Sequence, residues 1–333
     1  MAKILKTTEE NLNLCKKALE NSQVIAVPTE TVYGLAGNAL NKDAINDIFK
    51  IKGRPLYNPL ILHVKCAKSA RKYGTFNELA KKMAEHFWPG PLTIVLPKKD
   101  IVPDLVTANL DSVAIRCPQN STLLKLLKRL PFPLAAPSAN PFGYVSPTTS
   151  EHVSSSLGDK LEIILEGNNC KFGIESTIID LRTCIEPKIL RHGPITKEML
   201  EEFSGTKFEE SVAAPVNKLR APGMLKSHYS PKAPLEINSR DKLMKLVASK
   251  NSSRVAFIFQ MRPKNSEYQK LPNIYWLSET GEELEIAQNF YHLLRVADAL
   301  DYQKIHIEEI DDNAGISTAI RDRLLRAATQ IEL

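Results

Sequence analysis

Two cations separated by a single glycine, Lys52 and Arg54 in Lys52-Gly53-Arg54-Pro55, stand just past a predicted helix and ahead of a predicted strand starting at Leu60. Glycine and proline fix the turn, so these charges are suited to grip an anion such as a polyphosphate. The competing reading is a solvated pair of loop charges. Asn58 and His63 follow in the same stretch. His63 alternates with Ile61 along the strand, a placement that also suits a purely structural histidine.

More polar groups fall at predicted strand ends, where α/β proteins form their ligand sites. Pro28-Thr29-Glu30-Thr31 joins two strands, and the Thr31 hydroxyl is available either to a small ligand or to its own turn. Ser112 precedes the apolar strand 113–116 and Arg116 closes it. A guanidinium there calls for a carboxylate or phosphate, from a ligand or from a structural partner. Ser138 and Asn140 offer a hydroxyl and an amide after the strand 134–136. Ser146 lies in a Gly/Ser/Pro loop, Ser176 precedes a strand and Arg191 follows one. Taken singly, such residues are caps or turns. Ser176 has neither a glycine elbow nor an evident base, which argues against a hydrolase nucleophile.

The elements that position these groups read as two α/β domains. The chain has 333 residues, 43% hydrophobic and 25% charged, which suits a folded protein of two cores. Helices are predicted at 7–21, 42–50, 67–72, 77–86, 121–130, 149–157 and 197–203, with Thr7 and Glu10 as a capping box. Strands are predicted at 24–27, 31–35, 60–64, 92–96, 113–116, 134–136, 163–165 and 176–181. The stretch 204–234 carries four prolines and no apolar period, as expected of a linker or a cover. Beyond it, strands at 235–237, 254–259, 274–277 and 304–310 alternate with helices at 240–248, 283–300 and 316–329. That β-α-β order favours a parallel sheet.

Net charge of +6 permits acidic ligands or RNA without demanding either. Five scattered cysteines without a C-x-x-C pattern speak against a disulfide framework or a thiolate zinc site. The N-terminus lacks a signal-peptide core, and no run reaches the length of a membrane span, so cytoplasmic localisation is expected. The chain contains no G-x-x-x-x-G-K-[ST], no G-x-G-x-x-G and no H-E-x-x-H.

In order along the chain stand PTETVYGLAG, KGRPLYNPLILH, FWPGPLT, SVAIRCP, PSAN, GIESTIID, ILRHGPI, APGMLKSHYSPKAP and AIRDRLLRA. Together they resemble the YrdC-like family of threonylcarbamoyl-AMP synthases in its longer two-domain form. The resemblance implies an N-terminal YrdC-like twisted mixed sheet with flanking helices over 1–205 and a proline-rich linker covering the active site over 206–233. A smaller C-terminal Rossmann-like α/β domain would fill 234–333. The family's Lys-x-Arg and Ser-x-Asn tetrad falls on Lys52, Arg54, Ser138 and Asn140.

The activity implied is ATP, L-threonine and bicarbonate going to L-threonylcarbamoyl-AMP and pyrophosphate. By the same resemblance, Thr31, His63, Arg116 and Ser176 would hold threonine, with the backbone of Ala136. Arg54, Asn58, Ser112, Ser138, Ser146, Arg191 and Tyr229 would hold ATP. Mg2+ would arrive with ATP, held by phosphates and water rather than by a protein carboxylate cage. A tRNA-modifying threonylcarbamoyl transferase would act downstream, and weak direct contact with RNA stays open. Leu225-Lys226-Ser227 departs from the commoner basic and aromatic pattern of the linker.

Two other readings compete. One is an RNA-binding module without turnover, although aromatic residues (7%) do not interleave with the basic ones. The other is a different carbamoyl transfer, as in hydrogenase maturation, whose enzymes carry zinc-finger segments that this cysteine pattern cannot supply.

Overall fold

The computed structural model describes residues 2–183, 185–210, 228–249, 254–311 and 315–328. The centre of the expected linker, 211–227, lies outside the described residues, as does Cys184. The chain divides into two compact units. One is Met1–Phe142, Ser146–Lys171 and Glu175–Leu225; the other is Gly143–Val145, Phe172–Ile174 and Lys226–Leu333.

The first unit is built on an eleven-stranded mixed sheet. Its strands are β1 (Lys3–Leu5), β2 (Ile25–Val27), β3 (Gly34–Asn38), β4 (Ile61–His63), β5 (Leu92–Pro97) and β6 (Ser112–Arg116). They continue with β7 (Leu134–Ala135), β8 (Ile163–Leu165), β9 (Thr177–Asp180), β10 (Lys188–Arg191) and β11 (Glu209–Glu210). The spatial order is β1-β8-β2-β3-β7-β4-β6-β5-β9-β10-β11.

Alternation along each strand sends neighbouring side chains to opposite faces. Leu62, Ile94, Leu96, Ile115, Ile179 and Ile189 join a large core with helix residues such as Ile45, Ile48, Met83 and Leu200. Truncating one of them, Ile115→Ala for instance, should cost about 2–5 kcal/mol. Their neighbours on the opposite face, Ile61, Val95, Ala114, Ile178 and Leu190, form a separate small apolar group. Elsewhere on the sheet, Leu12, Leu19, Leu123 and Leu127 from helices Glu9–Glu20 and Ser121–Lys128 pack with Ile25, Val27, Leu134 and Ala136. This small group, itself buried, is distinct from the cluster that those helices cover, and forms an apolar floor on that face of the sheet.

Local chemistry accounts for the helix starts. Thr8, Asn41, Asn77, Asn120, Thr149 and Thr196 each accept a hydrogen bond from a backbone N–H in the first turn of their helix. The expected cap Thr7 gives way to Thr8, because the Thr7 hydroxyl bonds Glu166 O at 2.8 Å and Thr122 Oγ1 at 3.0 Å. The strand expected at 31–35 starts at Gly34 instead, because Thr29 Oγ1 closes a turn on the N–H groups of Thr31 and Val32. β1 and β11 were not expected. They are very short and exist by pairing with β8 and β10.

The second unit holds an all-parallel sheet of β12 (Leu235–Asn238), β13 (Val255–Met261), β14 (Ile274–Ser278) and β15 (Lys304–Glu308), in the order β12-β15-β13-β14. Helices Arg240–Ser249, Glu283–Ala299 and Ile316–Ala328 connect or follow these strands. Among the described residues, no helix is long and apolar enough to cross a membrane.

Candidate active site

Helix Lys42–Lys52 ends on Gly53, whose φ of 64° is the left-handed conformation that glycine adopts without strain. The sharp exit sends Lys52 and Arg54 into the protein, both almost fully buried. Lys52 Nζ donates to Ser138 O at 2.5 Å and Asn140 O at 2.6 Å. Burial, followed by the repulsion of Arg54, pushes the Lys52 ammonium well below the usual lysine range, and Glu175 opposes that shift. Arg54 folds back on its own loop: Nε donates to Asn58 O at 3.1 Å, and Nη2 to Asn58 Oδ1 at 2.6 Å and Pro59 O at 2.9 Å.

Sheet register decides what lies near these cations. β4 and β6 run parallel with Ile61 opposite Ala114 and His63 opposite Arg116. β7 runs antiparallel to β4 with Leu134 opposite His63. Two residues back from Ile61, Pro59 is therefore level with Ser112 on one side and Ser138 on the other. One end of the floor collects Lys52, Arg54, Asn58, Ser112 and Ser138. The other end holds His63 and Arg116, about 13 Å away by strand rise. Ser112 and Arg116, ends of one strand, mark the two extremes, and Ala136 lies level with Ile61 between them.

The Arg116 end is small and polar. Arg116 Nη1 donates to Thr31 Oγ1 at 3.0 Å, and Nη2 lies 2.7 Å from Glu30 Oε1. That ion pair is not aligned as a hydrogen bond, and Arg116 Nε, also buried, makes no hydrogen bond either. Burial, with the Arg116 charge adding to it, lowers His63 to about 3, so its imidazole is neutral at ordinary pH. Thr93 sits opposite Arg116 on β5, and its hydroxyl meets Ser176 Oγ at 2.8 Å. Arg191 Nε and Nη2 donate to Ser176 O at 3.0 Å and Oγ at 3.1 Å. Gly193 permits this approach, since a Cβ there would lie 2.4 Å from Thr177 N. Ser146 Oγ donates to Glu175 Oε1 at 2.6 Å.

Asn140 is fully buried, with Nδ2 donating to Pro141 O at 2.7 Å. Tyr229, the remaining expected ATP residue, belongs to the second unit and is buried there, its ring 5.7 Å from that of Tyr291 and beneath Arg323. Thr93, Glu30 and Glu175 carried no assigned role in the sequence reading. The lone polar position of Thr93 in the otherwise apolar strand 92–96 was the one sequence signal at that position, and only the β5–β6 register gave it meaning.

Buried cations thus stand at one end of an apolar floor, and a polar niche around Arg116 at the other. A family model described as telomere recombination matches residues 17–193, and one described as the C-terminal domain of threonylcarbamoyl-AMP synthase matches 195–329. The chain is 35% identical to threonylcarbamoyl-AMP synthase of Pyrococcus abyssi, covering 96% of this chain and 94% of that one. It is also 35% identical to the Bacillus subtilis protein of that name, over 97% of this chain and 94% of that one. The crystal structure of P. abyssi Sua5 complexed with L-threonine superposes with a TM-score of 0.89 at 34% identity, covering 98% of each chain. The chain belongs to the threonylcarbamoyl-AMP synthase family in its two-domain Sua5 form.

Proposed function

We infer that this enzyme makes L-threonylcarbamoyl-AMP from ATP, L-threonine and bicarbonate, releasing pyrophosphate as the first step of threonylcarbamoyladenosine formation in tRNA. The reading rests on one observation above all: sheet register gathers Lys52, Arg54 and Ser138 at one end of a single floor and Arg116 at the other. The threonine carboxylate docks on the Arg116 guanidinium, with Thr31, neutral His63 and Ser176 around the side chain and the Ala136 backbone beside it. A site that bonds the threonine hydroxyl rejects analogues lacking it by orders of magnitude.

ATP lies over the floor toward Arg54, Asn58, Ser112 and Ser138, with Ser146 and Arg191 along its length. A triphosphate would add negative charge beside Lys52, whose direct partners are two carbonyl oxygens. The amine, once its ammonium form has given up a proton, attacks bicarbonate or the CO2 formed from it, and the carbamate oxygen then attacks the α-phosphorus and expels pyrophosphate. Lys52 and Arg54 stabilise charge growing on the phosphoryl oxygens, and Asn140 holds the loop that cradles Lys52.

Among the described residues, no cluster of three His, Cys, Asp or Glu side chains could hold a metal. A magnesium ion arriving with ATP would be held by phosphates and water, with Glu175 a carboxylate whose charge reaches Lys52. When bound, the ion neutralises phosphate charge. The product passes to a tRNA-modifying transferase in the cytoplasm.

Incubation with ATP, threonine and labelled bicarbonate should yield an AMP-linked labelled product and pyrophosphate. Lys52→Ala and Arg54→Ala should each cut its formation by about 10²–10³-fold, and serine should replace threonine poorly. ATP consumption that does not require threonine would overturn the reading.

A further inference from the structure

Glu30 has no assigned task, yet its surroundings are specific. It is 5% exposed, beside Arg116 at 4%. Oε2 is anchored by the backbone N–H of Asn120 at 3.3 Å, whereas Oε1 makes no hydrogen bond although it lies 2.7 Å from Arg116 Nη2. A carboxylate present only to lock the guanidinium would align with an N–H, and Thr31 already holds Nη1. The unsatisfied Arg116 atoms, Nε and Nη2, share one edge of the guanidinium, the edge that receives a carboxylate in bidentate fashion. A carboxylate docked there meets the Glu30 charge unless a cation sits between the two. In an α-amino acid the ammonium is placed one bond from the carbon bearing the carboxylate, where it can bridge them.

We propose that Glu30 binds the α-ammonium of the amino-acid substrate, so that Glu30 and Arg116 together read both charges of a zwitterion. The proposal rests on the functional reading above and adds a second requirement: an acid without the amine is repelled.

The test uses the full chain and two ligands, L-threonine and (R)-3-hydroxybutanoate, which keeps the carboxylate and hydroxyl but lacks the amine. By calorimetry the unaltered protein should prefer threonine by on the order of 100-fold. Glu30→Gln should weaken threonine by about 30-fold, while 3-hydroxybutanoate binds as well as before or better. Equal weakening of both ligands would mean that Glu30 merely orients Arg116, and equal affinity in the unaltered protein would also overturn the proposal. If Glu30→Gln fails to unfold cooperatively, Glu30→Asp keeps the charge but withdraws it, and should weaken threonine alone. Absence of any threonine binding to the unaltered protein would defeat the functional reading itself, whereas threonine binding with parallel losses in the variants defeats only the role of Glu30.

Discussion

The two sheets differ in how the polar groups at some of their strand ends find partners, although Asn238 Oδ1 at the end of β12 is also buried without one. At the end of β15, the buried Glu308 carboxylate accepts from Arg240 Nη1 at 3.1 and 3.2 Å and from Gln260 N at 2.9 Å. At the end of β14, Ser278 Oγ donates to Glu285 and accepts from the N–H groups of Thr280, Gly281 and Glu282. These groups satisfy one another and so specify the fold. In the first unit, Arg116 Nε and Nη2 and Asn58 Nδ2 are buried without acceptors, and Lys52 faces carbonyl oxygens. Arg116 Nε and Asn58 Nδ2 each cost about 1–3 kcal/mol, whereas the Glu30 charge 2.7 Å from Nη2 offsets that donor in part. In the first unit these donors lie at the strand ends where the proposed substrates would dock, and a ligand there would offset the cost.

Substitutions at the two ends of the floor should break this contrast most visibly. Arg54→Ala should lower kcat/KM by about 10²–10³-fold with its effect on ATP, and Arg116→Ala by a similar factor with its effect on threonine. Steady-state kinetics varying each substrate in turn separates the two, and matching losses in both KM values for either variant would contradict the two-ended site. A smaller effect comes from His63. Its folded value of about 3 lies below the usual 6.5, so the unfolded chain takes up a proton that the native state refuses. Stability present above pH 6.5 is therefore lost as pH falls toward 3, with a slope of about 1.4 kcal/mol per pH unit. Urea midpoints between pH 6.5 and 5 should show about 2 kcal/mol of this loss, and His63→Gln should flatten the curve.

In the second unit, Arg240→Ala should cost about 1–2 kcal/mol, because Glu308 loses a partner that is itself partly solvated. Product formation should stay unchanged when both domains are folded, and a large fall in kcat would show that this strand end does more than stabilise. Smallest of all, Lys16→Ala removes an exposed pair with Glu20 and should shift stability by about 0.3 kcal/mol, within reach of careful denaturant titration.

Much of this was legible in the residues, unevenly. Asn41, Asn77 and Thr196 announce their helices because a cap acts within one turn. Between the adjacent Thr7 and Thr8, the choice was made by Thr122 and Glu166, far along the chain. The Lys52-Gly53-Arg54 turn declared its cations, but nothing local said that Lys52 would sit in a cage of Ser138 and Asn140 carbonyls. Thr93 looked like one polar residue in an apolar strand until the β5–β6 register placed it opposite Arg116.

The order of elements, the alternation that splits each strand between two faces, and the types of charge available were determined by the sequence alone. These follow from backbone geometry and neighbours a few bonds away. Which strand ends meet, and so whether Arg54 and Arg116 serve one site or two, was decided by tertiary structure. Register between strands from distant segments depends on how the buried faces pack, and a slip of one residue would turn the floor's side chains to the other side.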